Sequence, residues 1–372
     1  MKNTLTQSIN RRAFLFSSLG LPFAPHLLSA FERGALDQAA SVLSQASKNG
    51  QIDAASLVVQ QKGDTFNQSF GKADSKDAIF LLASISKPIS SAAFMTLYDQ
   101  KELRLDDLVS KFISEFKSDG RERITVRQLL THTSGLPDQL PENAQLRGRH
   151  APLSEFIEKA IRTPLRFSPG ARYSYASMGI LLASEISQRI TNQSFADFVD
   201  ETVYHPLAMK HSAMGIGHLD WKTAQRCQVE QAAPESGAGD PLTKSWDWNS
   251  HYWRHLGAPW GGAHGSAPDV ARFLREFLHP EGLAVRPETA KLMTRNHNPR
   301  EFRSRGLGFD VSPNIGPKKS RRAFGHTGST GTLCWADPKS DTVCVVLTTL
   351  PARAINPHPR DITSQLIAGT AC

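Results

Sequence analysis

Residues 79–97 read Ile79-Phe80-Leu81-Leu82-Ala83-Ser84-Ile85-Ser86-Lys87-Pro88-Ile89-Ser90-Ser91-Ala92-Ala93-Phe94-Met95-Thr96-Leu97. A short apolar run leads into Ser84, and beyond it Ile85, Ile89, Ala92, Ala93 and Leu97 recur at helical spacing, which predicts a buried helix beginning at Ser84. Pro88 fits its first turn, where backbone N–H groups have no helical partner. Lys87, one turn on, shares a face with Ser84, and the helix N-terminus offers partial positive charge and free N–H groups where an oxyanion would form. A lysine serves as base only when its amine is neutral part of the time, and burial among apolar neighbours promotes that. Ser-x-x-Lys also occurs at Ser69/Lys72 and Ser114/Lys117, but neither serine stands at such a junction. The plain alternative makes Ser84 a helix cap and Lys87 a surface residue.

Outward from this stretch, Leu36 to Ala46 have helical spacing and stop at Asn49-Gly50. Ala55 to Gln60 and Thr65 to Phe70 then read as strands around the turn Lys62-Gly63-Asp64. From Ala78 to about Met214 most segments are helical, with loops at Ser134-Gly135-Leu136-Pro137 and Ser168-Pro169-Gly170. Residues 228–258 lack periodicity and carry Trp246, Trp248 and Trp253; they read as a long ordered loop that lines a site and helps choose the substrate. A helix from Ala267 to Phe277 follows. Strands come next near Gly308 to Val311, Ala323 to Gly325, Thr332 to Trp335 and Thr342 to Thr349, then a last helix around Asp361 to Ala368. The expected class is α+β, an antiparallel sheet built from both chain ends with flanking helices and an inserted, mostly helical part. By this division residues 31–77 and 259–372 form the α/β part and 78–258 the insertion.

With 40% hydrophobic and 21% charged residues over 372 positions, the composition is that of a folded globular protein, not of a disordered or fibrous one. The net charge of +8 points to no nucleic-acid partner, because the basic residues cluster only at Lys318-Lys319-Ser320-Arg321-Arg322, which reads as a solvated loop beside a strand. The start of the chain has Asn10-Arg11-Arg12-Ala13-Phe14-Leu15 ahead of an apolar stretch from Phe16 to Leu28, broken by Pro22 and Pro25. Paired arginines before a short apolar segment resemble a twin-arginine export signal over residues 1–30, cleaved near Ala30. The segment is too short and interrupted to remain as a membrane span, and the expected location is periplasmic or otherwise exported. Removing Lys2, Arg11 and Arg12 lowers the charge to about +5. Of four cysteines, Cys334 and Cys344 lie in two strands that a hairpin could set opposite each other, although two small buried hydrophobes is the simpler reading. None has zinc-site spacing.

Two further segments bear on chemistry. Tyr175, in Ser168-Pro169-Gly170-Ala171-Arg172-Tyr173-Ser174-Tyr175-Ala176-Ser177, ends a loop before an apolar helix, where a phenol can point into a cleft; Tyr173 competes for that role. Phe324-Gly325-His326-Thr327-Gly328-Ser329-Thr330-Gly331 places small residues ahead of a strand, letting a substrate approach the backbone at a sheet edge; the plain alternative is a glycine-rich turn. No serine sits in Gly-x-Ser-x-Gly, which excludes an α/β-hydrolase nucleophile turn.

Taken in order, Ser-x-x-Lys, Tyr-x-Ser and His-Thr-Gly resemble the serine β-lactamase and penicillin-binding protein superfamily. The resemblance is to its class C-like branch, with D-alanyl-D-alanine carboxypeptidases, D-aminopeptidases and related esterases. Thr125 to Pro137, Gly261-Gly262 and Ser266 to Phe273 extend it over nearly all of residues 31–372. It implies a β-lactamase/transpeptidase-like fold and no cofactor. It also implies Ser84 as acylated nucleophile, Lys87 as proton acceptor, and Tyr175 as partner base and proton donor. Ser84 and Ser329 would supply the oxyanion N–H groups, and Ser177, His326, Thr327 and Gly328 would surround the substrate. Two departures stand out: Ser177 replaces the more usual Asn, and His326 replaces the Lys of the lactamase pattern, so a substrate carboxylate is attracted more weakly unless the site raises the histidine pKa. The implied substrates are esters or peptidoglycan-like, D-amino-acid-containing amides. The alternatives are a weak β-lactamase, a non-catalytic penicillin- or peptidoglycan-binding relative, and a metal hydrolase. For the last, His251 and His255 share a helix face but lack the glutamate of the zinc-protease motif.

Overall fold

The computed structural model describes residues 30–370 apart from 232, 313 and 315. The export signal expected over residues 1–30 lies, but for Ala30, outside the described residues, as does Cys372. Helix α1 (Ala30–Lys48) runs into the turn expected at Asn49-Gly50. Strands β1 (Ala54–Gln61) and β2 (Asp64–Gly71) form a hairpin in which Gln61 pairs with Asp64, leaving Lys62 and Gly63 in the turn with positive φ. After β3 (Phe80–Leu81) and a 3-10 turn over Ala83–Ile85 comes α2 (Ser86–Asp99).

The insertion carries α3 (Val126–Leu130), α4 (Asn143–Gly148), α5 (Leu153–Arg162), α6 (Ser177–Thr191), α7 (Phe195–Val199), β4 (Ser212–Met214) and α8 (His251–Leu256). The chain returns through β5 (Ala263–Gly265), α9 (Ala267–Leu278), α10 (Pro287–Met293), β6 (Asp310–Val311), β7 (Phe324–Gly328), β8 (Thr332–Asp337), β9 (Thr342–Thr348) and α11 (Pro359–Thr370).

Six strands form one antiparallel sheet in the order β2-β1-β9-β8-β7-β6, so strands from the two ends of the chain pair at its centre, Ala55 with Thr348 through Gln61 with Thr342. The period of two sorts side chains between faces. Leu57, Val59, Leu333, Trp335, Cys344 and Val346 meet α1 and α11, while Val58, Cys334, Ala336, Val343 and Val345 join the core beneath the helical insertion. Cys334 therefore pairs with Val345 and Cys344 with Trp335. The two thiols lie on opposite faces, free and buried, and do not stand opposite each other in the hairpin. A second, three-stranded sheet, β3-β5-β4, has strands of two or three residues, too short for an alternation to register in the sequence.

Helix α2 is buried on all sides from Ser86 to Leu97, not on one face. Two of its buried hydroxyls find backbone acceptors, Ser90 the Pro259 carbonyl at 2.7 Å and Thr96 that of Ala93 at 2.7 Å, while the buried Ser91 hydroxyl has no partner among the described residues. The loop over 228–258 is ordered, but Trp248 and Trp253 belong to the main core with Trp260. Trp253 also lies 3.8 Å beneath the Arg147 guanidinium, with Trp246 at 5.3 Å. The expectation that these rings line a site is corrected for Trp248 and Trp253, whose large apolar area is spent on packing. The basic run at 318–322 is a turn before β7, with Lys319 over the Trp335 ring at 4.9 Å, Ser320 donating to Asp337, and Arg321 and Arg322 exposed. Among the described residues, no helix is long and apolar enough to cross a membrane.

Candidate active site

Strand β3 delivers the chain to Ser84, and the turn there is held from three directions. The Leu82 N–H donates to the Ala263 carbonyl of β5 at 2.8 Å. Thr330 and Thr332, beyond the His-Thr-Gly segment, donate their hydroxyls to the carbonyls of Leu81 (2.7 Å) and Leu82 (2.9 Å). The Ser86 hydroxyl donates to the Ala83 carbonyl at 2.6 Å and accepts from the Ala263 N–H at 3.0 Å. Ala83 takes φ 48°, a left-handed conformation a residue with a Cβ adopts only under such constraint. Ser84 is the one partly exposed residue between Leu81 and Ser90. Strand β7 lies against this turn because residue 328 is glycine: a Cβ there would sit 2.1 Å from Thr332 Oγ1 and 2.5 Å from the Leu82 carbonyl oxygen.

Lys87 is 1% exposed, with Nζ 3.0 Å from Ser84 Oγ and 2.8 Å from the Trp260 carbonyl oxygen. Burial lowers its amine from 10.5 to about 7; Asp138 pulls it up, Arg305 pushes it further down, and Asp310 pulls it up. A neutral amine that donates to the Trp260 carbonyl keeps a lone pair for the Ser84 proton. The Tyr175 ring lies 4.8 Å from Lys87 Nζ, and its oxygen also engages the Ser84 hydroxyl. Burial raises the Tyr175 pKa well above 10, so this phenol keeps its proton at neutral pH.

The Thr125–Pro137 segment supports Tyr175. Thr125 and Gln128 form a reciprocal cap on α3. His132 follows with φ 60°, its ring 4.6 Å from that of Tyr175. His132 Nδ1 accepts from the Ala176 N–H at 3.2 Å, and its carbonyl accepts from the Ser174 N–H at 2.9 Å, so both sides of Tyr175 are tied to one residue. Ser177, at the start of α6, gives its N–H (3.0 Å) and its hydroxyl to Asp138 Oδ1. Tyr173, the competitor, has its ring 6.0 Å from that of His132, and it is the Tyr175 ring that lies over Lys87 Nζ.

His326 departs from the expected substrate contact. It is buried; Nε2 lies 2.8 Å from an Arg305 nitrogen and Nδ1 2.7 Å from the Thr327 carbonyl oxygen. Arginine only donates, so Nε2 accepts and the proton resides on Nδ1. Burial, with Arg305 adding to it, lowers the histidine to about 3. The site does not raise His326 toward a charged form, and both its ring nitrogens are already engaged. Thr327 is exposed and Ser329 partly so, while Gly328 is buried.

A family model described as Beta-lactamase matches residues 39–363. The chain belongs to the Beta-lactamase family. This family member is 29% identical over 333 residues to the esterase EstB of Burkholderia gladioli, covering 79% of this chain and 83% of that one. It is 26% identical over 302 residues to a protein of Escherichia coli (strain K12) named as a putative D-alanyl-D-alanine carboxypeptidase, covering 73% and 69% of the two chains. Among solved structures, EstCE1, a hydrolase with promiscuous acyltransferase activity, aligns with TM-score 0.76 at 19% identity, over 92% of this chain and 100% of that one. The D-amino acid amidase of Ochrobactrum anthropi SV3 aligns with TM-score 0.74 at 20% identity, over 90% and 99%. The fold is thus β-lactamase/transpeptidase-like, and the protein is a β-lactamase-related serine hydrolase.

In this β-lactamase relative, Ser84, Lys87 and Tyr175 come together as expected, with Gly328 against the nucleophile turn. Sequence reasoning did not single out Arg305, Asp310, Asp138, His132 or the Trp260 carbonyl. The Thr125–Pro137 resemblance contains His132, but none of the others carries a local signal. His251 and His255 stack face to face, centroids 3.7 Å apart, on α8. Among the described residues no group of three or more His, Cys, Asp or Glu side chains is arranged for a metal ion.

Proposed function

We propose that the protein is an exported serine hydrolase whose residues 31–372 act as one catalytic domain on esters or D-amino-acid-containing amides through an acyl-Ser84 intermediate. The observation that carries this reading is a buried lysine amine, lowered to about 7, held 3.0 Å from the hydroxyl of a serine at the head of a buried helix. Neutral Lys87 takes the Ser84 proton as Oγ attacks the substrate carbonyl. The N–H groups of Ser84 and Ser329 receive the oxyanion, and losing one such donor typically costs about a hundredfold in rate. Tyr175, which keeps its proton, protonates the leaving group and regains a proton from Lys87. Water then attacks the acyl carbon, its proton passing to Lys87 while Ser84 leaves and is reprotonated.

His326, neutral and engaged on both nitrogens, offers no charge to a substrate carboxylate. That favours an ester, or an amide without a carboxylate at this position, over a β-lactam. The paired arginines at residues 11–12 support export by the twin-arginine route.

The test is turnover of a short p-nitrophenyl ester, a D-Ala-D-Ala peptide and a chromogenic β-lactam by wild type and Ser84→Ala. Ester cleavage that vanishes in the variant supports the reading, and equal activity in Ser84→Ala overturns it. Binding without turnover of any of the three would assign a non-catalytic relative instead.

A further inference from the structure

Arg305 is fully buried in the loop between α10 and β6. The loop is fixed from several sides. The Arg305 N–H donates to Asn296 Oδ1 at 2.8 Å, the Leu307 N–H to the Met293 carbonyl at 2.9 Å, and the Gly308 N–H to the Leu130 carbonyl at 3.2 Å. Gly308, at φ 82°, lies so close to α2 that a Cβ would stand 2.2 Å from Ser91 Oγ. The guanidinium held by this frame donates to Asp310, to the Gly308 carbonyl at 3.0 Å and to His326 Nε2 at 2.8 Å, and its centre lies 5.6 Å from the Tyr175 ring centroid. Planar, permanently charged and forked, it makes all these contacts at once, which a lysine ammonium cannot reproduce in the same geometry.

We propose that Arg305 is a positioning residue of the Ser84 reaction: a fixed, buried cation that locks the His326 tautomer, backs the Tyr175 ring, and keeps positive charge beside Lys87 where a protonated histidine is absent. The proposal rests on the reading of Ser84 as nucleophile. It explains why His326 can be neutral in a segment at the nucleophile turn, since the fixed charge is supplied from a different element. Asp310 balances the guanidinium. Burial alone would raise its carboxyl, but Arg305, helped by Arg303, outweighs that and holds it below the usual range.

Lys87 is faced by Ser84 and the Trp260 carbonyl, by Tyr175 from the loop before α6, by Asp138 from the loop after α3, by His132 from the same loop, by His326 from β7, and by Arg305 and Asp310 from the 303–310 segment. Of these, Arg305 pushes the lysine toward its neutral form. Removing it therefore moves the acidic limb of the pH–rate profile to higher pH.

The experiment measures kcat, KM and the pH profile with a neutral p-nitrophenyl ester for wild type, Arg305→Met, Arg305→Lys and Ser84→Ala, with folding checked by circular dichroism. In Arg305→Met, kcat falls about tenfold to a hundredfold, the scale of misplacing a reacting group by ~1 Å, KM changes little, and the acidic limb moves up. Arg305→Lys restores the limb but only part of kcat. Should Arg305→Met not fold, because Asp310 is left buried and unpaired, Arg305→Met/Asp310→Leu removes both charges and is read for kcat in its place. A folded variant with wild-type kcat and an unmoved limb overturns the proposal, as does a rise in KM alone, which would make Arg305 a substrate-binding group. Activity retained in Ser84→Ala overturns the nucleophile assignment itself and is distinct from either.

Discussion

Lys87 Nζ stands 3.0 Å from Ser84 Oγ and donates a hydrogen bond to the Trp260 carbonyl at 2.8 Å. With the amine lowered by burial to about 7, kcat/KM falls as pH drops below about 7 and Lys87 becomes charged. A profile of ester cleavage from pH 5 to 9 checks this; a flat profile contradicts it.

The same shift has a stability consequence. A folded-state pKa below the unfolded 10.5 means that the unfolded chain binds more protons between about pH 7 and 10.5, so this group makes the wild type more stable as pH rises through that window. Lys87→Met removes the cost of the buried cation. Its melting temperature relative to wild type should be most favourable at or below about pH 7 and lose that advantage toward pH 10.

Asp138 pulls the Lys87 pKa up while accepting from the Ser177 N–H and hydroxyl. Asp138→Asn keeps an acceptor for Ser177 but removes the charge. The acidic limb should therefore move to lower pH, opposite in sign to Arg305→Met, in the same assay.

Gly328→Ala forces a Cβ into Thr332 Oγ1 and the Leu82 carbonyl. The overpacking should destabilise the protein by about 1–3 kcal/mol in urea unfolding. Because those groups hold the nucleophile turn, activity should drop even at temperatures where the variant stays folded.

Trp248 is 3% exposed within the main core. Trp248→Ala should cost about 3–5 kcal/mol, on the scale of large aromatic truncations, without a selective change among ester chain lengths. Trp246 is only partly buried, with the Arg147 guanidinium 5.3 Å from its ring.

What could be read from the chain and what could not divide along physical lines. The continuous apolar run Leu333, Cys334, Trp335 and Ala336 is local and marks a strand buried on both faces, and the spacing of Ile85, Ile89 and Leu97 marks a helix that carries Lys87 beside Ser84 by its own geometry. Arg305 reaches His326 from 21 residues away and Asp138 reaches Ser177 from 39, through loops with no periodicity. Such encounters are set by tertiary packing. His326 itself was legible as a residue at the site, but the direction in which the site moves its pKa was not, because that is decided by burial and by a guanidinium from another segment. The tryptophans of residues 228–258 resembled a substrate-lining loop for the same reason: nothing local distinguishes an aromatic that packs inward from one that faces a ligand.

The most direct test of the account is peptide mapping after brief incubation with a slowly hydrolysed p-nitrophenyl ester, quenched in acid. The account predicts a single acyl adduct on the peptide containing Ser84, absent in Ser84→Ala and slow to form in Lys87→Met. An adduct on another residue, or undiminished turnover in Ser84→Ala, would contradict it.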